Sequence, residues 1–157
     1  MIHLATGLAF DELGRVLLVA SQYSNHAQPL WNLPGGRQQP GELLDETVAR
    51  EVFEETGLAC RAVELAYVSE SYDGEEHFLN ATFRVDVLEG GTIRQPVAGN
   101  DDHVVEVAWV PRGEVAARIA VAVVREPLIA YLDGTLTRRF AGYPSAGITI
   151  RWPSGSA

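Results

Sequence analysis

The chain has 157 residues, of which 46% are hydrophobic and 21% charged, enough to bury the core of one globular domain. Its 12 basic and 21 acidic residues give a formal net charge of −9, which argues against a general nucleic-acid or anionic-membrane binder because either needs a basic face. No apolar run approaches the roughly 20 residues that span a bilayer, and the single cysteine, Cys60, excludes an intramolecular disulfide.

The beginning of the chain is predicted to form two strands and a loop. Residues 3–10 and 15–21 have the apolar and β-branched content of strands, and a turn separates them. No basic leader precedes them, so we expect a cytoplasmic location. The polar and aromatic stretch at 21–30 is predicted to be a loop, which either lines a substrate pocket or is plain surface. The side chains that would line such a pocket are Tyr23, Asn25 and His26.

A helix is predicted for residues 43–56, after a tight turn at Gly35 and Gly36. One arc of this helix is apolar at the 3.6-residue period of a face that packs on a core. That arc comprises Val48, Ala49, Val52 and Phe53. Gly57 is expected to terminate the helix as the residue just beyond its last turn.

The opposite arc of this helix carries more negative charge than a purely structural helix favours. Glu51 lies three residues before Glu54 and four before Glu55, and each such like-charge pair costs about 0.2–0.5 kcal/mol. All three lie in the C-terminal half, where the macrodipole disfavours each carboxylate by about 0.3–1 kcal/mol. Crowded carboxylate oxygens would be stabilised by Mg²⁺ or Mn²⁺. The alternative is an acidic face in contact with solvent.

The chain after this helix reads as strands followed by short helices. Strands are predicted at 59–71, 77–87 and 104–110, with a hairpin turn between the first two. Helices are predicted near 112–118 and 121–132, and Pro127 is expected to kink or split the second one.

The C-terminal residues 134–152 are basic, and their sequence does not indicate a function. The β-branched stretch at 147–152 is predicted to be a strand that either extends the sheet or contributes to a homodimer contact. Residues 153–157 are predicted to be a disordered tail. We therefore expect a single domain over residues 1–152.

The spacing of residues 36–58 is the most specific signal in the chain. From Gly36 the sequence runs glycine, five residues, Glu42, seven residues, then Arg50 followed by EVFEETGL. This pattern resembles the Nudix box at every defining position, and WNLPG at 31–35 resembles the approach to that box. The resemblance implies a mixed α/β (α+β) fold, an α/β/α sandwich with a central mixed β-sheet. It also implies an enzyme that hydrolyses a nucleoside diphosphate linked to another moiety.

The resemblance implies roles for the residues of the acidic arc. Glu51 and Glu55 would be the principal ligands of Mg²⁺, or of Mn²⁺ as its substitute. The carbonyl oxygen of Gly35 would complete the ligand set. Glu54 would bind the metal directly or through water and would help to orient the attacking water.

Other catalytic roles follow from the same resemblance. Arg50 would hold a glutamate carboxylate, and Glu42 would stabilise the loop, contact the metal through water, or simply favour the helix N-terminus. The general base stays open between a glutamate of the box and a later acid. Glu106 resembles an acid found ahead of this strand in many members, and Asp102 is the second candidate. His103 stands where an acid is more common, and is either a base or a surface residue.

Substrate choice in this family lies outside the box, where the sequence is less informative. Tyr23, Tyr72 or Phe78 would stack on a nucleobase, or each belongs to the core. The leading hypothesis is hydrolysis of the pyrophosphate bond in a nucleoside triphosphate, sugar nucleotide or dinucleotide polyphosphate. The alternatives are a non-catalytic Nudix-fold nucleotide sensor, disfavoured by the intact glutamates, and an RNA 5′-end pyrophosphohydrolase, disfavoured by the acidic charge. The expected partner is a small nucleotide, with no stable nucleic-acid or membrane binding.

Overall fold

The computed structural model of the chain describes residues 1–96 and 103–151. Within these ranges the strands are β1 Ile2–Leu8, β2 Val16–Ser21, β3 Leu30–Asn32, β4 Gly35–Arg37, β5 Cys60–Asp73, β6 Glu76–Val87, β7 Val104–Val110 and β8 Phe140–Tyr143. The α-helices are α1 Leu44–Thr56, α2 Val115–Arg118 and α3 Ala122–Leu132, and a 3-10 turn at Arg112–Glu114 precedes α2. No helix in the described ranges is long and apolar enough to cross a membrane.

The strands form a mixed five-stranded sheet in the order β4-β1-β6-β5-β8 and a three-stranded sheet in the order β3-β2-β7. In the larger sheet β1 runs parallel to β6 and antiparallel to β4, which brings Thr6 opposite Gly35 and also opposite Thr82. The long hairpin of β5 and β6 turns at Gly74, close to the predicted position. The short strand β4 therefore lies at the edge of the sheet, immediately before the segment that leads into α1.

Two apolar cores lie on opposite faces of the strands. Leu17 and Val19 of β2 belong to the core that includes Val48 and Val52 of α1. The alternate residues of β2 point to the other core, which includes Leu128 of α3. The strands are thus sandwiched between α1 on one side and α2 with α3 on the other. This arrangement confirms the predicted mixed α/β fold with a central mixed sheet.

The helix α1 begins and ends almost where the sequence predicts. The Glu46 carboxylate accepts the Leu43 N–H at 2.7 Å, and Gly57 adopts φ 79° and donates its N–H to the Phe53 carbonyl. The predicted apolar arc is partly wrong, because the Phe53 side chain is 51% exposed whereas Thr47 and Thr56 are buried beside Val48 and Val52. The buried face is rotated away from Phe53 because the helix packs residues 48, 52 and 56 against the sheet.

Two predictions about the C-terminal third are corrected by the structure. The helix α3 continues through Pro127 as one element, so the predicted split is wrong, whereas the alternative of a kink at Pro127 stays a prediction. The strand predicted at 147–152 does not form over residues 147–151, and the strand in this region is β8, which pairs in parallel with β5. The backbone of residues 149–151 bonds to side chains of the 24–26 loop instead of to a strand. Residue 152 and the predicted tail at 153–157 lie outside the described residues.

Candidate active site

The carboxylates of two glutamates of α1 lie against the first two residues of β4. The Gly35 N–H donates a hydrogen bond to Glu55 Oε1 at 2.6 Å. A Cβ atom on Gly36 would lie 2.5 Å from the carboxyl carbon of Glu51, so this carboxylate lies directly against the Gly36 backbone. Because Glu51 and Glu55 are one helical turn apart, both carboxylates lie over the same pair of glycines.

The close approach of α1 to the sheet depends on small residues. A Cβ atom on Gly7 of β1 would lie 2.9 Å from the Val52 side chain and 3.1 Å from that of Val48, so glycine lets the helix lie close to β1. Gly35 of β4 pairs with Thr6, which lies next to Gly7 on β1. The packing of α1 on β1 and the pairing of β1 with β4 together place the glutamates over Gly35 and Gly36.

The Arg50 guanidinium joins the acidic residues of the site. Its Nε and Nη2 atoms donate to the two carboxylate oxygens of Glu42, at 2.5 and 3.1 Å. Its Nη1 atom donates to Glu51 at 2.9 Å and to Glu54 at 3.2 Å, and Nη2 also reaches the Arg37 carbonyl at 3.1 Å. One cation thus offsets the repulsion that the sequence predicts on this face, and the hydrogen bond to Glu42 raises the pKa of Arg50.

The Glu42 carboxylate is held in its ionised form by its neighbours. Its pKa is lowered to about 2, chiefly by the hydrogen bond from Arg50 and then by the backbone N–H of Gln39. The Thr47 hydroxyl also donates to Glu42, at 2.9 Å. This ion pair links the loop before α1 to the middle of the helix and so fixes the direction of Arg50.

Replacing Glu42 by glutamine is expected to change how stability depends on pH. A carboxyl whose folded pKa is lowered stabilises the fold above its unfolded pKa and loses that contribution as pH falls through the folded value. The melting temperature of Glu42→Gln should therefore lie below that of the wild type at pH 7, and the difference should shrink between pH 4.5 and about 2. Thermal unfolding followed by circular dichroism across this pH range measures it. A difference in melting temperature that is constant with pH would contradict the lowered pKa of Glu42.

The donor set of this site suits a hard divalent cation that keeps some of its water ligands. Within residues 1–96 and 103–151 no three His, Cys, Asp or Glu side chains converge to hold one ion. Mg²⁺, however, is typically bound through one or two carboxylates, waters and substrate phosphates. Glu51 and Glu55, adjacent to each other above Gly35 and Gly36, supply such a pair of carboxylates.

Tyr23 is a predicted substrate residue whose pKa is influenced by one of the glutamates. Burial raises the pKa of the Tyr23 hydroxyl and the negative charge of Glu55 raises it further, whereas a hydrogen bond with Ser21 lowers it. The Tyr23 ring lies 6.4 Å from that of His103, measured between centroids. The loop after β2 thus carries Tyr23, and His103, which directly precedes β7, lies beside the Tyr23 ring.

The other predicted substrate residues contact other parts of the chain. His26 contacts the Thr149 carbonyl through Nε2 at 2.9 Å. Tyr72 stacks on His77 with ring centroids 4.2 Å apart. Phe78 pairs with Ile2, four residues along β1 from the Thr6 that faces Gly35, which corresponds to about 13 Å of strand. The register thus separates Phe78 from Gly35, and contact of the three residues with substrate stays a prediction.

The candidates for the general base lie in or near β7. Glu106 pairs with Ala20 of β2 through its backbone and is exposed, and its carboxylate makes no hydrogen bond or ion pair with the described residues. His103 accepts the Gln22 N–H through its carbonyl at 2.8 Å, so it continues the pairing of β2 with β7. Asp102 lies outside the described residues. The choice among these groups stays a prediction.

Some contacts around the site were not predicted from the sequence. Thr47 falls outside the predicted apolar arc, yet it is buried and its hydroxyl donates to Glu42. Arg94, which follows β6, donates through Nη2 to the Glu54 carbonyl at 3.2 Å and through its backbone N–H to the Thr56 carbonyl at 2.7 Å. Thr47 is only five residues from Glu42, so their contact has a short-range signal in the sequence, whereas Arg94 is 40 residues from its partner Glu54 and has none.

Comparison with known proteins identifies the class. The sequence model of the NUDIX domain matches residues 2–132, and a MutT protein from Methanosarcina mazei Go1 has a similar structure, with a TM-score of 0.66 at 27% identity over 85% of this chain and 94% of that one. The chain therefore belongs to the NUDIX domain family.

Two related proteins from other organisms match parts of the chain. It is 45% identical over 72 residues to a putative 8-oxo-dGTP diphosphatase of Bacillus subtilis (45% of this chain). It is 32% identical over 105 residues to an ADP-ribose pyrophosphatase of Methanocaldococcus jannaschii (64% of this chain). The chain spans 46% and 60% of the lengths of these relatives, less than two thirds of either.

Proposed function

We propose that this protein is a divalent-metal-dependent pyrophosphohydrolase acting on a nucleoside diphosphate linked to another moiety. The observation that carries the proposal is the convergence of the Glu51 and Glu55 carboxylates on Gly35 and Gly36. These carboxylates lie in a pattern that is costly for a helix unless a cation compensates them. Membership of the NUDIX domain family supports the same reaction class.

Glu51 and Glu55 are the proposed principal ligands of Mg²⁺, with Mn²⁺ as a substitute, and Glu54 and the Gly35 carbonyl are the proposed further ligands. When bound, the ion supplies charge neutralisation at the phosphates and lowers the pKa of a coordinated water. Hard oxygen donors of this kind suit these ions better than imidazole or thiolate groups do.

Arg50 is proposed to keep the glutamates in the orientation that a metal requires. Its guanidinium is held from the loop side by Glu42 and the Arg37 carbonyl, while its Nη1 bonds to Glu51 and Glu54. Glu42 thereby acts through Arg50 rather than on the substrate. The Glu54 side chain is 45% exposed, so solvent can reach its carboxylate, consistent with a role in orienting the attacking water.

The proton acceptor is proposed to be Glu54, Glu106 or Asp102. Glu54 on α1 and Glu106 on β7 are both exposed, so water can reach their carboxylates. Substituting each in turn and comparing pH–rate profiles distinguishes them, because the true base sets the acidic limb of kcat/KM.

The proposed substrate class covers nucleoside triphosphates, sugar nucleotides and dinucleotide polyphosphates. One relative is named as acting on 8-oxo-dGTP and another on ADP-ribose, which supports a small nucleotide rather than a nucleic acid. The net charge of −9 agrees, since it disfavours RNA. The proposed substrate-contacting residues are Tyr23, His26, Tyr72 and Phe78. The cytoplasmic location and the homodimer stay predictions.

A panel of these nucleotides, assayed with Mg²⁺, with Mn²⁺ and with chelator, tests the proposal. We expect at least one substrate to be cleaved at a pyrophosphate bond with either metal, and no turnover with chelator. Identifying both products shows which bond breaks. Tight nucleotide binding without turnover would instead establish a sensor, and release of pyrophosphate from 5′-triphosphorylated RNA alone would establish the RNA enzyme.

A further inference from the structure

Residues 93–95, called the brace below, join the C-terminal end of α1 to strand β7. The segment follows β6 and is itself neither helix nor strand. Ile93 packs against the core that includes Val52 of α1. The next two residues, Arg94 and Gln95, have polar side chains that bond to different elements. The brace therefore connects the helix that carries the proposed metal ligands with the three-stranded sheet.

The last turn of α1 lacks a cation of its own. The carbonyl groups at the C-terminal end of a helix have no partners within the helix and carry a partial negative charge. Residues 53–56 read FEET, so this turn has two acids and no base. Gly57 then ends the helix with φ 79°. A basic group from elsewhere in the chain is therefore expected to stabilise this end.

Arg94 supplies that cation from outside the helix. Its Nη2 atom donates to the Glu54 carbonyl at 3.2 Å, and its backbone N–H donates to the Thr56 carbonyl at 2.7 Å. A Cβ atom on Gly57 would lie 2.9 Å from the Arg94 Cβ, so glycine lets the two segments touch. Arg94 thus contacts the last turn through both its backbone and its side chain. This is the turn that carries Glu54 and Glu55.

Gln95 anchors the other end of the brace. Its Nε2 atom donates to the Val107 carbonyl at 2.9 Å, and its Oε1 atom accepts the Val107 N–H at 3.2 Å. These are the two bonds that a residue of a neighbouring strand would make, and β7 is the outer strand of its sheet in the described part of the chain. Val107 is buried and pairs with Val19 of β2. The brace is thus fixed to a buried position of the sheet.

We propose that Arg94 and Gln95 are positioning residues for the metal site. Arg94 holds the last turn of α1, and Gln95 fixes the segment that carries Arg94 to β7. The inference rests on the proposed function, because it takes Glu54 and Glu55 as metal ligands. If the last turn loosens, the Glu55 carboxylate leaves the Gly35 N–H, which it accepts at 2.6 Å. Metal affinity thus depends on two residues that do not touch the metal.

The sign of the effect separates positioning from charge. Arg94 is a cation next to the turn whose carboxylates are proposed to bind a cation, so its charge alone disfavours Mn²⁺. Removing that charge without any loss of position would strengthen Mn²⁺ binding, whereas loosening the last turn weakens it. Gln95 is neutral, so its replacement by an apolar residue changes position without changing charge.

The test is titration of the apo protein with Mn²⁺, followed by electron paramagnetic resonance well below the melting temperature. Arg94→Met and Gln95→Leu are compared with the wild type and with Arg138→Met. The last is the matched control, because it removes the same charge from an exposed arginine that lies over the Phe140 ring beside β8. We expect Mn²⁺ binding to weaken about tenfold in Arg94→Met and at least about threefold in Gln95→Leu, and to stay unchanged in Arg138→Met. Equal or tighter binding in Arg94→Met, or unchanged binding in Gln95→Leu, would overturn the proposal.

A second measurement needs no metal. Amide hydrogen exchange of the apo protein, followed by nuclear magnetic resonance, reports opening of the last turn of α1. The amides of residues 55–57 should exchange about tenfold faster in Arg94→Met and in Gln95→Leu than in the wild type, whereas those of β6 should keep their rates. Wild-type exchange at residues 55–57 in both variants would overturn the proposal.

Two further variants cover a failure to fold, judged by circular dichroism. Arg94→Lys keeps the charge but loses the planar fork, and Gln95→Asn keeps the amide on a shorter side chain. Each replaces its counterpart and should weaken Mn²⁺ binding in the same direction. A wild type without specific Mn²⁺ binding would overturn the proposed metal site and this inference with it. A wild type that binds Mn²⁺ with the same affinity as the variants would overturn the brace alone.

Discussion

Replacing Glu55 by glutamine is expected to lower kcat by at least about 10³-fold, because the proposed metal ligand would be lost, and with it several kcal/mol of transition-state stabilisation. The melting temperature of the apo protein should stay within about 4 °C of the wild type. Glutamine keeps an oxygen that accepts the Gly35 N–H, and its neutral side chain relieves repulsion with Glu51. Steady-state kinetics and thermal unfolding of the same preparation measure the two effects.

The control for this variant is Glu75→Gln, in the exposed turn of the β5–β6 hairpin. It removes the same charge and should leave both kcat and melting temperature close to the wild type. Glu54→Gln is expected to behave like Glu55→Gln, since Glu54 is proposed to bind metal and orient water. If Glu54→Gln and Glu55→Gln both unfold the chain while the folded fraction remains fully active, these glutamates are structural and the site assignment is wrong.

Replacing Gly36 by alanine is expected to lower kcat/KM by about 10²-fold, because the new methyl group would displace Glu51, a proposed metal ligand. The added Cβ would lie 2.5–2.8 Å from the three carboxylate atoms of Glu51, so that side chain must move. Gly36 has no positive φ, so alanine does not strain its backbone. The displaced atoms are the end of a flexible side chain, and the melting temperature should change little.

The matched control is Gly113→Ala, in the 3-10 turn before α2. A Cβ atom there meets nothing within 4 Å, and its φ is also not positive. Activity and melting temperature of Gly113→Ala should equal those of the wild type. Comparable activity of Gly36→Ala and Gly113→Ala would mean that the position of the Glu51 carboxylate does not matter for the reaction.

The helix and its surroundings were predictable because the signals are local. The 3.6-residue period, the acids of the first turn and Gly57 all lie within 15 residues, and α1 extends from Leu44 to Thr56 as they indicate. The repulsion among Glu51, Glu54 and Glu55 was also predictable from the sequence. The structure adds that Arg50 contacts Glu42, Glu51 and Glu54 at once, a set of distances that no spacing rule specifies.

What the sequence did not reveal depends on contacts between distant segments. Phe53 fits the apolar period of α1, but the sheet accepts the neighbouring face of the helix and leaves this ring 51% exposed. The stretch at 147–152 has the β-branched content of a strand, yet its backbone partners are the side chains of a loop more than 120 residues earlier. Local propensity cannot anticipate such partners, because they exist only once the β5–β6 hairpin and the loop after β2 are in place.

Binding of Mn²⁺ tests the central claim most directly, because it measures the metal site without any assumption about the substrate. Titration of the apo protein, followed by electron paramagnetic resonance, compares the wild type, Glu55→Gln, the Glu51→Gln/Glu55→Gln double variant and the Glu75→Gln control. We predict that the wild type and the control bind Mn²⁺ equally, that Glu55→Gln binds at least about tenfold more weakly, and that the double variant shows no specific binding. Equal Mn²⁺ affinity in all four proteins would show that the carboxylates above Gly35 and Gly36 do not form the metal site.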